Sequence, residues 1–209
     1  PQYLLFLEDV FPYMEKYHYQ KGMKKIIQEL QHFIKANTYG TASDRALLLD
    51  YQATLEPKTE KAIKLEKEAL AQIKETTKKN AHLVSNLHSN LGGLYRINGQ
   101  LNLAKKHMEM GISLLEQYQL LYTNDSIPQI NNYAVLLTEI QEPDLALSAL
   151  QKLAQIIKEY NSNHCLDYAQ VQESLGSICL ITANISQAKT HFKKALKIYE
   201  DIWADEPEL

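Results

Sequence analysis

The sequence predicts an all-α fold, a right-handed solenoid of about ten antiparallel helices, on three observations. Seven Gly and six Pro among 209 residues fall well below the usual ~7% and ~5%, which leaves too few chain-breakers for the tight turns of an all-β protein. Apolar residues recur at helical spacing over most of the chain. Three segments also align without gaps. They run from Leu91 to Ala104, from Tyr133 to Ala146 and from Leu175 to Ala188, so that their closing alanines lie 42 residues apart both times. A fixed period of that length marks stacked supersecondary units.

Composition narrows the function classes. A formal net charge of −3 supplies no cationic field for nucleic acid. The longest apolar runs, such as Tyr3 to Leu7, are too short to span a bilayer. Two cysteines, Cys165 and Cys179, form neither a disulfide framework nor a metal cluster and fit a reducing, cytoplasmic setting. The chain opens on Pro1 rather than Met, which reads as a fragment of something longer.

The elements follow in order. Residues 1–42 hold a helix pair without the repeat pattern: Tyr3 through Met14, then Met23 to Ile34. Terminal units are often atypical in this way. The stretch Thr38 to Ser43 is a loop in which Thr41 or Ser43 can cap the next helix. Residues 43–84 form the next unit, because a step of 42 back from Ala104 lands on Ala62, followed by an amphipathic run to Ile73. Three clear repeats come next, 85–126, 127–168 and 169–209. In the first of them Leu87, Leu91, Leu94 and Tyr95 make one apolar stripe. Breaks come at Asn98-Gly99, Glu142-Pro143 and Ala183-Asn184. The second helices then carry Leu103, Met108, Ile112 and Leu115, or Phe192, Ala195, Leu196 and Tyr199. Small residues recur where helix axes approach closely: Gly92, Ala134 and Gly176, then Ala104, Ala146 and Ala188. The whole reads as one solenoid from 1 to 209, ending in an apolar stripe of Ile198, Tyr199, Ile202 and Trp203. That stripe would pack on a further capping helix, a neighbouring subunit or the preceding helices.

The order Leu91, Gly92, Tyr95, Ala104, Met108 resembles the signature of the tetratricopeptide repeat, with Met in place of its aromatic. Tyr133, Ala134, Leu137, Ala146 and Leu150 occupy the same places, as do Leu175, Gly176, Cys179, Ala188 and Phe192. The 42-residue period is similar to the long repeats of kinesin light chain and its bacterial and fungal relatives. The resemblance covers about 43–202 and weakens upstream. There Asp50 falls where the small residue belongs and Glu66 where the aromatic belongs. Either the register slips or this repeat is degenerate.

Catalytic signatures are missing: no glycine-rich phosphate loop, no GxSxG, no HExxH, no CxxC. Enzyme activity, a cofactor and a metal are therefore not expected. His107 and His191 share one repeat position and read as solvent-facing, His88 as half-buried filler and Cys179 as core. Cys165 lies near His164 and Asp167, but sequence neighbours do not face one another on a helix. Glu60, Lys64 and Glu68 are i,i+4 neighbours of a solvated face.

In a solenoid of helix pairs the first helices line the concave side. The stripe opposite the buried leucines then includes Asn86, Ser89, Asn90, Gly93 and Arg96. In the next unit it includes Asn131, Asn132, Val135, Thr138 and Glu139, and in the last Gln172, Glu173, Ser177 and Leu180. Asn90 and Asn132 stand one repeat apart, with Ser174 in the third place. The resemblance implies that such asparagines hold the backbone of an extended peptide, since one carboxamide offers a donor and an acceptor. Arg96 could pair an acidic group, Glu139 and Glu173 a basic one, while Gly93 opposite Val135 leaves room for an apolar anchor. One arginine is no cationic clamp for a C-terminal carboxylate. The leading expectation is a protein-interaction module that takes a peptide or helical segment of a protein partner, with no nucleic acid and no membrane. Self-association through the C-terminal helix is a further expectation. The alternative is the regulatory or sensor region of a larger protein, such as a nucleotide-binding ATPase or a peptide-pheromone receptor.

Overall fold

The computed structural model describes residues 20–37, 40–121, 126–160 and 165–204. The expected first helix, Tyr3 to Met14, lies outside the described residues, as do Thr38, Tyr39 and His164. Among the described residues there are nine helices and no strand. They are α1 (Gln20–Asn37), α2 (Ala42–Thr54), α3 (Thr59–Gln72), α4 (Ala81–Ile97), α5 (Leu101–Gln117), α6 (Ser126–Glu139), α7 (Pro143–Tyr160), α8 (Leu166–Ile181) and α9 (Ile185–Trp203). Packing divides the chain between Gln100 and Leu101, so that α1–α4 form one compact unit and α5–α9 the other.

In the first unit, Met23, Ile27 and Leu30 recur at helical spacing and bury one face of α1 against Leu48 of α2. Of the two capping candidates, Thr41 takes the role. Its hydroxyl accepts from the Asp44 amide at 3.2 Å, while the Asp44 carboxylate accepts from the Thr41 amide at 2.7 Å. This reciprocal pair satisfies two of the helix's orphan N–H groups. Ala46, Ala69 and Leu87 then bring α2, α3 and α4 together in one cluster.

In the second unit, a larger core runs through α6, α7 and α8, with Ile130, Ala134, Leu137, Leu150, Leu153, Leu175 and Ile178 buried. Ala169, Ala195 and Ile198 form a satellite cluster between α8 and α9, with Tyr199 and Ile202 packed against it. Lys105 of α5 forms an ion pair with Glu142 in the turn before α7. The C-terminal stripe therefore splits: Ile198, Tyr199 and Ile202 pack on the preceding helix, whereas Trp203 stays 57% exposed. Two further residues leave the stripes in which the sequence places them. Leu103 is 41% and Leu196 56% exposed, while the adjacent Ala104 and Ala195 are buried.

The small residues of the repeat are buried between helices. Ala62, Ala104, Ala146 and Ala188, each 42 residues from the next, are all at most 1% exposed. Gly176 lies so close to the Phe192 ring that a β-carbon built there would sit 2.9 Å from Cε1.

The turns inside the pairs also repeat. Gly99, Gln141 and Ala183 are equivalent positions, and all three adopt left-handed backbone, with φ of 73°, 65° and 57°. In each, the next residue donates back to close the helix: Gln100 N to Tyr95 O at 2.8 Å, Glu142 N to Leu137 O at 2.8 Å, Asn184 N to Cys179 O at 2.7 Å. This is a Schellman closure, which glycine enters without strain and a residue with a β-carbon does not. Ala183→Gly is therefore expected to stabilise the protein by about 1 kcal/mol, read as a shifted denaturation midpoint with an unchanged slope. In the unit 43–84 the equivalent residue is Pro57, whose ring forbids positive φ. There α2 ends with Leu55 in right-handed backbone instead.

Candidate partner-binding surface

Each candidate residue can be followed through the repeat. Ser89, Asn131 and Glu173 are equivalent, as are Asn90, Asn132 and Ser174, and then Gly93, Val135 and Ser177. In the first unit they lie on α4, beside α2. Asn90 is exposed, while Asn86, Ser89, Gly93 and Arg96 are half-buried. In the second unit α6 and α8 touch. Asn132, Val135 and Glu139 are exposed on α6, and Glu173, Ser177 and Leu180 on α8. Val135 and Leu180 are 44% and 48% exposed, two apolar side chains among polar ones. Asn131 turns the other way, with its Oδ1 buried and unpartnered. The Glu173 carboxylate accepts from the Tyr199 hydroxyl of α9 at 3.2 Å, which fixes its position. Burial, and then the Glu173 charge, push the Tyr199 hydroxyl pKa up. Gln172, expected on this face, is instead buried and hydrogen-bonded at 2.8 Å to Nδ1 of His191. The His191 Nδ1–H donates to the Gln172 amide oxygen, and burial, then the Lys194 charge, lower the His191 pKa.

The asparagine of the first unit is engaged. Its Nδ2 donates to Asp50 Oδ1 at 2.8 Å. Asp50 on α2 and Glu66 on α3 are 8% and 2% exposed, so the two carboxyls that stood out in the sequence meet in the interior. They occupy the positions of Gly176 and Phe192, each 126 residues downstream. The repeat register is thus kept and its small–large pair is replaced by two acids. Burial, and then the Asp50 charge, push the Glu66 carboxyl pKa up to about 10, against a hydrogen bond from Asn90 that lowers it. Glu66 consequently holds its proton at neutral pH and shares it with Asp50, two like charges being too costly side by side. Its Oε2 is left without a partner. Sequence reasoning marked both residues as misfits but had no signal that they touch.

A second region is absent from the sequence reading. Ile112, Ile130, Tyr133, Leu145, Ile156 and their neighbours line an apolar recess of about 240 Å³ among α5, α6 and α7. The ion pair of Lys152 with Glu116, at 2.6 Å, stands at its edge. Tyr133 donates from its hydroxyl to Glu109 at 2.9 Å.

Among the described residues no group of His, Cys, Asp and Glu could hold a metal ion, and no helix is long and apolar enough to cross a membrane.

Residues 126–201 match the tetratricopeptide repeat family. Over these residues the sequence carries the tetratricopeptide repeat that its resemblance implied. The structure of BtubC (BKLC) from P. vanneervenii superposes with a TM-score of 0.74 at 16% identity, over 90% of this chain and 75% of that one. A structure of the nearly identical TPR-like repeats of a Podosopora anserina putative kinesin light chain gives a TM-score of 0.70 at 13% identity, over 94% of this chain and 96% of that one. A Rap protein complexed with Competence and Sporulation Factor gives 0.60 at 17% identity, over 85% of this chain and 48% of that one. At these identities the tetratricopeptide-repeat likeness is one of fold: an all-α scaffold of helix pairs. No curated protein matches the sequence.

Proposed function

We propose that the chain is a non-enzymatic, cytoplasmic protein-interaction module whose first-helix face on α6 and α8 binds an extended or helical segment of a protein partner. One observation carries this reading. Two touching helices together expose side chains that suit a peptide: the Asn132 carboxamide for its backbone, Val135 and Leu180 for an apolar anchor, Glu139 and Glu173 for a basic residue. The corresponding face of α4, with Asn86, Ser89, Gly93 and Arg96, offers a separate surface with a cation in place of the acids. Because Asn90 is held by Asp50, its contribution is to tie that surface to the acid pair beneath. An alternative reading, the regulatory or sensor region of a larger protein, is favoured by the Rap structure. That protein is complexed with Competence and Sporulation Factor on the same fold, and this chain spans about half of its length. The α9 helix carries none of the groove residues, so self-association through it would leave the groove open.

The experiment compares capture of a partner from source lysate by the wild type and by Asn132→Ala/Val135→Glu, after matching their helicity and melting temperature. Retention should fall about tenfold or more. Equal retention would move the binding site to the apolar recess beside Tyr133 or to α4.

A further inference from the structure

The apolar recess of the second unit has Ile112 of α5 on one wall, Ala149 and Ile156 of α7 on the other, and Ile130, Tyr133 and Leu137 of α6 as its floor. Two ion pairs join the walls: Lys105 with Glu142, in the turn before α7, and Glu116 with Lys152. Lys105 stands in the first turns of α5 and Glu116 in its last, so charge closes the gap at both ends and leaves its middle hollow. The Tyr133 hydroxyl donates to Glu109 and offers the recess no free donor.

The next repeat shows what fills the equivalent space. One period of 42 beyond Ala149 stands His191, and one period beyond Ile130 stands Gln172. There the imidazole ring reaches the floor of its own gap, with Nδ1 at 2.8 Å from Gln172 Oε1. One period earlier the same two positions are His107 and His88. Both neighbouring repeats therefore carry an imidazole at the wall position and a hydrogen-bonding side chain at the floor position. The middle repeat has a methyl group and an isoleucine instead. The space this leaves, about 240 Å³, is larger than the ~150 Å³ at which a cavity lined by apolar side chains stays dry and binds benzene.

We infer that the recess is a binding site for a small, uncharged aromatic molecule, whose ring takes the place that His191 takes in the next repeat. The floor decides against a polar ring: with Ile130 where Gln172 would stand, a ring nitrogen directed at it would be desolvated without a partner. The rim decides against a charged one. A ligand carboxylate would compete with Glu116 for Lys152, and a ligand ammonium with Lys152 for Glu116, each leaving one charge of the pair unmatched. An uncharged ring leaves the pair intact. Entry is from solvent past Leu145, which lines the recess and is 53% exposed. Ile130, Tyr133 and Leu137 lie on the side of α6 turned away from Asn132, Val135 and Glu139, so the site stands whether or not that face binds a partner.

Indole is the probe, followed through the isoleucine methyl signals of the protein. In the wild type it should shift those of Ile112, Ile130 and Ile156 saturably, and leave those of the exposed Ile181 and Ile185 in place. Its charged relatives, indole-3-acetate and tryptamine, should bind about tenfold more weakly or less. Ala149→Phe supplies the ring from the chain itself and, with helicity unchanged, should weaken indole binding about tenfold or more. Ala149→His/Ile130→Gln, which copies the pair of the next repeat, should do the same and covers the case in which phenylalanine is too large to fold. Indole shifts that do not saturate, or that fall equally on Ile181 and Ile185, would overturn the proposal. So would a charged relative that binds as tightly as indole, or undiminished binding in a folded variant that fills the recess.

Discussion

Asp50→Ala/Glu66→Leu should make the protein more stable than the wild type by about 1–4 kcal/mol near neutral pH. Those residues copy Ala134 and Leu150, the pair that fills the same two positions two repeats downstream and is buried there to 1% and 0%. The acid pair instead leaves Glu66 Oε2 unpartnered in the interior and retains a proton that the unfolded chain would release. The sign of the pH dependence follows. The Glu66 pKa rises from 4.5 in the unfolded chain to about 10 in the fold. Over that window the native state binds more protons than the unfolded state, so Glu66 makes stability fall as pH rises, by up to ~1.4 kcal/mol per pH unit. Below pH 4.5 both states carry the proton and the penalty disappears. Glu66→Gln keeps the shape and the hydrogen-bond donor toward Asp50 but cannot titrate. It should flatten the profile of urea midpoint against pH between about 5 and 9. A double variant that melts below the wild type, or a Glu66→Gln profile as steep as the original, would count against a shared proton.

Gly176→Val should destabilise by about 2–3 kcal/mol, because a β-carbon there meets the Phe192 ring at 2.9 Å before any branch is added. The ring, half-buried on α9, must swing outward and give up its place in the pair. Shrinking the partner relieves the conflict. Gly176→Ala/Phe192→Leu recreates the Ala134–Leu150 solution and should lie within about 1 kcal/mol of the wild type. Phe192→Leu alone leaves a gap against glycine, so the two single changes should not add up to the double. Additive effects in the full cycle would mean that Gly176 and Phe192 are not coupled through this contact.

Much of this fold can be read before any coordinates. The period of 42 comes from alanines, and the structure buries every one of them, Ala62, Ala104, Ala146 and Ala188, to 1% exposure or less. The Leu87, Leu91 and Tyr95 stripe is buried as its spacing requires. What the sequence conceals is pairwise. Gln172 looks like a groove residue by spacing alone and is drawn inward by His191, a partner 19 positions away on another helix. Asp50 and Glu66 each break the pattern, but only packing reveals that they break it together. Leu196 has the right chemistry for a core and lies on the face that the preceding repeat covers with its successor. Gln141 and Ala183 adopt the left-handed turn that only Gly99 advertises, because the Schellman closure repays the strain. The α6–α8 face is legible as a row of residue types, whereas its partner's chemistry depends on groups outside the chain.

The most direct test of the central claim is site-specific photo-crosslinking, with a photoreactive residue placed at Val135 on α6 or, as control, at Met110 on α5. Both positions are exposed, at 44% and 41%, so access is matched. A protein or peptide joined at Val135 and not at Met110 is the predicted result. A partner joined at Met110 alone, or at neither position, would contradict a binding role for the first-helix face.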